Sequence, residues 1–186
     1  MTTLPGSVGI AIVNWNAGVQ LERCLASIAA TQWTGLRLTA VVVVDNASAD
    51  GSLDWIAPRA GGLPLQIIRN DINRGFGVAC NQAAQVLDAD YLLFLNPDVV
   101  LGPLSIPTAV RWLDDPAHAA TGIVGIQLLD ERGGISRSCS RFPTVATTIN
   151  KALGLDRLMP SMFASYLMED WDHAESRPVD HVIGAF

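Results

Sequence analysis

Short apolar runs alternate along this chain with segments whose apolar positions recur every three or four residues. Val8–Val13 predicts a first strand, and Leu21, Cys24, Leu25 and Ile28 then follow at the spacing of an amphipathic helix. Val41–Val44 predicts a second strand, a helix starting near Asp50 carries Leu53 and Ile56, and Leu65–Ile68 predicts a third strand. Gly75–Leu87 is alanine-rich with helical spacing and feeds a further strand, Tyr91–Leu95. Beyond Asp98 the pattern loosens into a short helix around Pro107–Leu113, a strand Ile123–Leu129 and a Ser/Arg-rich segment Gly133–Arg141. A helix over Thr144–Leu155, an irregular loop Met159–Arg177 and a last strand Val179–Phe186 follow. The βαβα alternation implies an α/β fold with a largely parallel central sheet flanked by helices.

Two of these strands end on acidic residues. Val41–Val44 runs into Asp45-Asn46, and Tyr91–Leu95 runs into Asn96-Pro97-Asp98. Uninterrupted apolar strands are expected to be covered on both faces, and ligands of open α/β sheets bind at the carboxyl ends of such strands. Either aspartate alone reads as a turn or helix-cap residue. Together they point to a site. Pro97 fixes its own φ and biases Asn96 towards extended backbone, so Asn96 and Asp98 offer oxygen ligands in restrained geometry, as hard divalent cations require.

Composition narrows the classes of function. A chain of 186 residues, 49% hydrophobic, is long and apolar enough for one domain with a sizeable core. Its net charge of −6 argues against a nucleic-acid partner, which needs clustered positive surface. Cys24, Cys80 and Cys139 have neither a disulfide nor a zinc spacing, which fits a reducing, cytoplasmic setting. No apolar run is long enough for a membrane span, and no basic amphipathic helix is evident, so the expected membrane contact is at most peripheral, at the inner face of the cell membrane. The turn after the first strand, Asn14-Trp15-Asn16-Ala17-Gly18, lacks the glycine fingerprint of dinucleotide enzymes, and no phosphate-binding P-loop occurs.

Four motifs then fall in a telling order: Ile12-Val13-Asn14-Trp15-Asn16, Val43-Val44-Asp45-Asn46-Ala47-Ser48-Ala49-Asp50-Gly51, Asn73-Arg74-Gly75-Phe76-Gly77-Val78-Ala79-Cys80-Asn81 and Leu95-Asn96-Pro97-Asp98. With Ser138-Cys139-Ser140-Arg141-Phe142-Pro143-Thr144 and Gly184-Ala185-Phe186, they resemble family 2 glycosyltransferases of GT-A fold, in the rhamnosyltransferase-like branch. The resemblance covers nearly the whole chain. It implies a single Rossmann-like, GT-A type nucleotide-binding domain over residues 1–186, with residues 1–100 as the nucleotide-sugar-binding half and 101–186 as a partial acceptor-side half. It also implies metal-dependent, inverting transfer from a nucleotide diphosphate sugar, dTDP-rhamnose or a UDP-sugar, to a glycan or lipid-linked acceptor in cell-wall polysaccharide synthesis.

The resemblance further assigns residues. Val13, Asn14, Asp45, Asn46, Arg74, Gly75, Asn81, Asn96 and Asp98 would line the nucleotide-sugar site. Asp45 would contact base or ribose and Arg74 would meet phosphate, while Gly75 supplies a positive φ or a close approach. Asp98 and Asn96 stand in place of the family's DxD motif and would hold Mg²⁺ or Mn²⁺. His181, Gly184 and Ala185 fall on the acceptor side. Residue by residue, Asn14 reads equally as a strand-end turn residue, Arg74 as a solvated loop cation, and Trp15 better as core than as pocket wall. All three histidines read as structural.

The family's general base lies in an acidic motif beyond the Gly-Ala-Phe element, so the catalytic residue is expected after Phe186 and the domain is expected to be C-terminally truncated. Glu169-Asp170 precedes Gly184 and reads as part of a solvated acidic loop. On that ground the chain is expected to bind donor and transfer sugar poorly. Homodimerisation through uncovered apolar surface and a catalytically incomplete binding or assembly module are the corresponding alternatives.

Overall fold

The computed structural model describes residues 6–54, 56, 62–136, 138–159, 168 and 171–182. The chain forms two compact units, one within Met1–Gly122 and one within Ile123–Gly184.

The first unit holds a four-stranded parallel sheet in the order β3-β2-β1-β4, built from β1 (Gly6–Asn14), β2 (Leu36–Asn46), β3 (Leu65–Asn70) and β4 (Tyr91–Leu95). Helices α1 (Val19–Ala29), α2 (Phe76–Val86) and α3 (Ser105–Asp114) complete it, followed by a 3₁₀ turn at Pro116–His118. All strands are parallel, so all their carboxyl ends meet at one edge. The register places Asn14 opposite Asp45, Asp45 opposite Arg69, and Asn46 opposite Asn70.

The two faces of the sheet are covered differently. On one face Ile10, Ile12, Val41, Val43, Leu93 and Leu95 pack with Leu21, Cys24, Leu25 and Ile28 of α1 and with Ile106 and Val110 of α3. Ile12 is fully buried, a contribution of about 1.5–3 kcal/mol for such a side chain. On the other face Ala11, Val13, Val42 and Val44 meet Ala79 and Ala83 of α2. Alanines at i and i+4 let that helix lie close on the strands. The helix ends against Gly9, where a Cβ would come 2.9 Å from Leu87 Cδ2.

The expectation that β4 is covered on both faces is not met. Leu93 and Leu95 are buried, but Leu92 is 41% and Phe94 39% exposed. The ladder explains this: β4 pairs only with β1 and forms the end of the described sheet, and Phe94, opposite Ala11, lies on the α2 face beyond the strands that α2 covers. The helix expected near Asp50 is, over Ser52–Asp54, a turn.

In the second unit the predicted strand Ile123–Leu129 shrinks to β5 (Leu128–Leu129), paired antiparallel with β6 (Ile135–Ser136) across a turn in which Asp130 accepts the Arg132 and Gly134 backbone N–H groups. β7 (Cys139–Ser140) pairs antiparallel with β8 (His181–Val182). The helix expected over Thr144–Leu155 is two helices, α4 (Val145–Ala152) and α5 (Leu155–Leu158). Thr144 starts the first with a capping box to Thr147, and Gly154, left-handed at φ 68°, separates them. No described helix is long and apolar enough to cross a membrane.

Candidate functional site

The site begins with Asn14, the last residue of β1 and completely buried. Its amide nitrogen lies 2.7 Å from Asp45 Oδ1, 2.8 Å from Ser52 Oγ and 3.0 Å from Ser48 Oγ. An amide NH₂ has two hydrogens, so three oxygens share them. Asn14 Oδ1, also buried, has no partner among the described residues.

Around this hub the loops after β1 and β2 are stitched together. Asn16 N–H donates to Ser48 Oγ at 2.9 Å, Ala49 N–H to Asn16 Oδ1 at 2.8 Å, and Gly18 N–H to Asp50 Oδ2 at 2.8 Å. Asn16 and Ala47 hold left-handed backbone at φ 53° and φ 60°, a conformation that costs a non-glycine residue about 1–2 kcal/mol. Strain of this kind concentrates where the surrounding structure fixes a site. The sequence named Asn14 and Asp45 as candidates and gave no role to Ser48, Ser52 or Asn16. Their bonds between the two loops span more than thirty residues, and only the β1–β2 register announces that meeting.

Asp50 is held below its ordinary 3.8 by the Ser52 hydroxyl and by the backbone N–H groups of Ser52 and Gly18, and Asp90 by the hydroxyl and N–H of Ser7. Both pKa values are depressed in the folded state, so both carboxylates stabilise the fold above the ordinary carboxylate pKa and lose that effect as pH falls through their folded values. The urea midpoint is therefore expected to hold from neutral pH to about pH 5 and to fall below about pH 4. Asp50→Asn should flatten part of that fall, and an unchanged profile would contradict the assignment.

Asn46 faces the other neighbour. Its Oδ1 accepts from Asn70 Nδ2 at 2.8 Å and from Arg74 N–H at 3.4 Å, and its Nδ2 donates to Gly75 O at 3.4 Å. Asn70 and Gln82 exchange two amide bonds of 2.9 Å, which tie β3 to α2. Asn46 thus holds the backbone of the Arg74–Gly75 loop. Arg74 is exposed and bonds Asp71 at 3.2 Å. Gly75 has φ 82° and ψ 160°, and a Cβ there would meet nothing within 4 Å. It is therefore the conformation, not crowding by protein, that calls for glycine. Gly75→Ala should cost about 1–3 kcal/mol in thermal or urea unfolding, and an unchanged midpoint would refute that. Asn81 sits exposed on α2, and Val13 is buried between the sheet and α2.

Asp98 is exposed in the turn after β4, and Asn96 is half-buried. Asn96 O accepts from Val99 N–H at 3.3 Å and from Cys24 Sγ at 3.6 Å, which anchors the turn to α1. Burial, then the charge of Asp98, pushes the Cys24 thiol up to about 12, so this cysteine is an inert packing residue. Leu101 N–H donates to Ser27 Oγ at 3.0 Å and Gln32 N–H to Pro103 O at 2.9 Å, fixing the same loop from α1 and from the turn that follows it. Among the described residues no three His, Cys, Asp or Glu side chains cluster as a metal site. One carboxylate and one amide oxygen suit a hard cation that takes its remaining ligands from water and phosphate.

Trp15, expected in the core, is 60% exposed next to Asn14. His118 is structural as expected, stacked on Trp112 with ring centroids 3.6 Å apart. His181 is exposed, with Nδ1 3.1 Å from the buried Ser140 Oγ. Gly184, Ala185 and the pair Glu169-Asp170 lie outside the described residues.

A family model described as Glycosyl transferase family 2 matches residues 9–164. The chain belongs to that family. It is 24% identical over 121 residues to the uncharacterized glycosyltransferase YibD of Escherichia coli (strain K12), covering 64% of this chain and 34% of YibD. Among solved structures it resembles S. aureus TarS (residues 1–349) in complex with UDP-GlcNAc, with TM-score 0.51, 22% identity, and coverage of 58% of this chain and 31% of that one. It also resembles the mannosyltransferase PcManGT of Pyrobaculum calidifontis in complex with GDP-Man and Mn²⁺, with TM-score 0.53, 26% identity, and coverage of 62% and 34%. The chain thus spans about a third of the length of these relatives. The fold is that of the GT-A glycosyltransferases.

Proposed function

We propose that this family 2 glycosyltransferase chain forms the donor site for a nucleotide diphosphate sugar, UDP- or dTDP-linked, with dTDP-rhamnose as one such donor. The supporting observation is that parallel register brings the buried Asn14–Asp45 pair and the Asn96-Pro97-Asp98 turn to one edge of the sheet. Asp45 accepts the N3–H of a uracil or thymine, and Arg74 exchanges its exposed bond to Asp71 for a phosphate oxygen. Asp98 and Asn96 hold Mg²⁺ or Mn²⁺ together with the diphosphate. The bound ion would offset the charge that builds on the departing diphosphate. Asn46 and Gly75 shape the loop that carries Arg74. The acceptor is a glycan or lipid-linked glycan at the cytoplasmic face of the membrane, with His181 assigned to its recognition, and transfer inverts the anomeric centre.

Calorimetric titration of UDP and dTDP, with and without Mn²⁺, tests this reading. Saturable binding that tightens at least tenfold with Mn²⁺ is expected. A folded chain that binds neither nucleotide in either condition would overturn it.

A further inference from the structure

The solved relatives carry different bases, a uridine nucleotide in TarS and a guanosine nucleotide in PcManGT. The shared fold therefore does not choose the base, and something local must. We infer that Asn14 sets the base preference of this chain by orienting Asp45, so that the carboxylate offers one accepting oxygen to the ligand and selects a base edge with a single central donor. This rests on the donor-site reading above.

The argument is a count of donors around one buried carboxylate. Asp45 is only 6% exposed. Its Oδ1 takes the Asn14 amide at 2.7 Å, the shortest of that amide's contacts, whereas its Oδ2 receives, among the described residues, the Ser48 N–H alone, at 3.3 Å. The stronger protein donor therefore sits on Oδ1, and Oδ2 keeps more of its accepting capacity. The N3–H of uracil or thymine needs one acceptor. Guanine presents N1–H and N2–H₂ side by side and needs both oxygens of a carboxylate. Adenine N1 and cytosine N3 are acceptors and would meet the carboxylate with like polarity. A buried polar group left without its partner excludes such ligands more strongly than a poor apolar fit does. Asn14 is suited to this work because it is itself fixed. Its nitrogen also donates to Ser48 and Ser52, and both hydroxyls lie on the loop that follows Asp45 at the end of β2. Asn14 is thus a positioning residue that acts through Asp45.

The test is a switch in preference. UDP, dTDP, CDP and GDP are titrated with Mn²⁺ into the wild-type chain, Asp45→Asn, Asn14→Ala with Asp45→Asn, and Ser52→Ala. Wild type is expected to prefer UDP and dTDP over CDP and GDP by about tenfold or more. In Asp45→Asn the substituted amide keeps its oxygen towards the Asn14 NH₂, because a 2.7 Å donor outweighs a 3.3 Å one, and so turns its own NH₂ to the ligand. Preference should then shift from UDP to CDP, whose N3 accepts. Removing Asn14 in the double variant frees the amide to turn and should erase the shift, while Ser52→Ala, which leaves the Asn14–Asp45 bond in place, should keep the wild-type preference. A purely structural role for Asn14 would weaken every nucleotide alike and leave the ratios unmoved. UDP binding to wild type with an equal affinity for GDP, or an Asp45→Asn chain that loses all four nucleotides equally, overturns the inference and leaves the donor site standing. The absence of any nucleotide binding to wild type overturns the donor site itself. If the double variant does not fold, Asp45→Asn and Ser52→Ala decide the matter by their UDP:CDP ratios.

Discussion

Asn14→Ala is expected to remove about 3 kcal/mol of folding stability, a large part of the 5–15 kcal/mol that a domain possesses. The side chain is wholly buried, and its nitrogen serves Asp45, Ser48 and Ser52 together. Truncation leaves a nearly buried carboxylate without its shortest hydrogen bond. Breaking a buried pair in this way costs more than the net worth of the bond, because the charge that remains has lost water as well as its partner. Ser52→Ala removes a neutral acceptor of Asn14 and the hydroxyl bond to the exposed Asp50, and should cost about 1 kcal/mol. Asp45→Asn keeps an acceptor for Asn14 and removes the buried charge, so it should fall nearer Ser52→Ala than Asn14→Ala. Urea unfolding followed by circular dichroism reads this order directly, with an unchanged slope if the effect lies in the folded state. An Asn14→Ala chain as stable as Ser52→Ala would mean that the hub is not what holds the two loops.

The order of these effects bears on what was legible in the sequence. The strands Val8–Val13, Val41–Val44 and Tyr91–Leu95 were readable because parallel strands buried in a sheet leave long apolar runs, and their structural extents enclose the predicted ones. α2 was readable from the 3.6-residue spacing of its small residues. The coverage of β4 was not readable, since an apolar run states that a strand can be buried and does not say which neighbours cover it. Leu92 and Phe94 are as apolar as Leu93 and Leu95 and differ in the face they present. Trp15 failed for a related reason. A large aromatic beside a strand favours the core by type, but Asn14 takes the inward position at the end of β1 and its successor in the chain turns outward. The candidate site was legible as residue types at strand ends. Its wiring was not, because the bonds of Asn14, Asn16 and Asn70 join residues whose proximity is created by strand register. Beyond Gly122 the sequence pattern weakens, and the described structure there consists of two-residue strands and short helices held by turns and caps. Such elements are set by local hydrogen bonds at Asp130 and Thr144, which carry little hydrophobic period to read.

Asp98→Ala should abolish the Mn²⁺-dependent part of nucleotide diphosphate binding, a loss on the order of a hundredfold in affinity when metal is present. The expected size follows from the ligand set. Asn96 is neutral, so Asp98 carries the only formal negative charge that this turn offers a cation, and even residues one shell further out typically cost 10–100-fold. The same substitution should leave metal-free nucleotide binding within about twofold of wild type, because Asp98 would repel rather than attract a free diphosphate. Asp98→Asn provides the discriminating comparison. It retains an oxygen at the same place and removes the charge, so it should recover little of the metal dependence if charge governs the site, and much of it if geometry alone does. Stability should hardly change in either variant, since Asp98 is exposed and the turn is anchored through the backbone of Asn96 to Val99 and Cys24. Calorimetry with and without Mn²⁺ separates these outcomes. Metal-linked binding that survives Asp98→Ala would move the cation site away from the end of β4 and leave Asp98 as a turn residue.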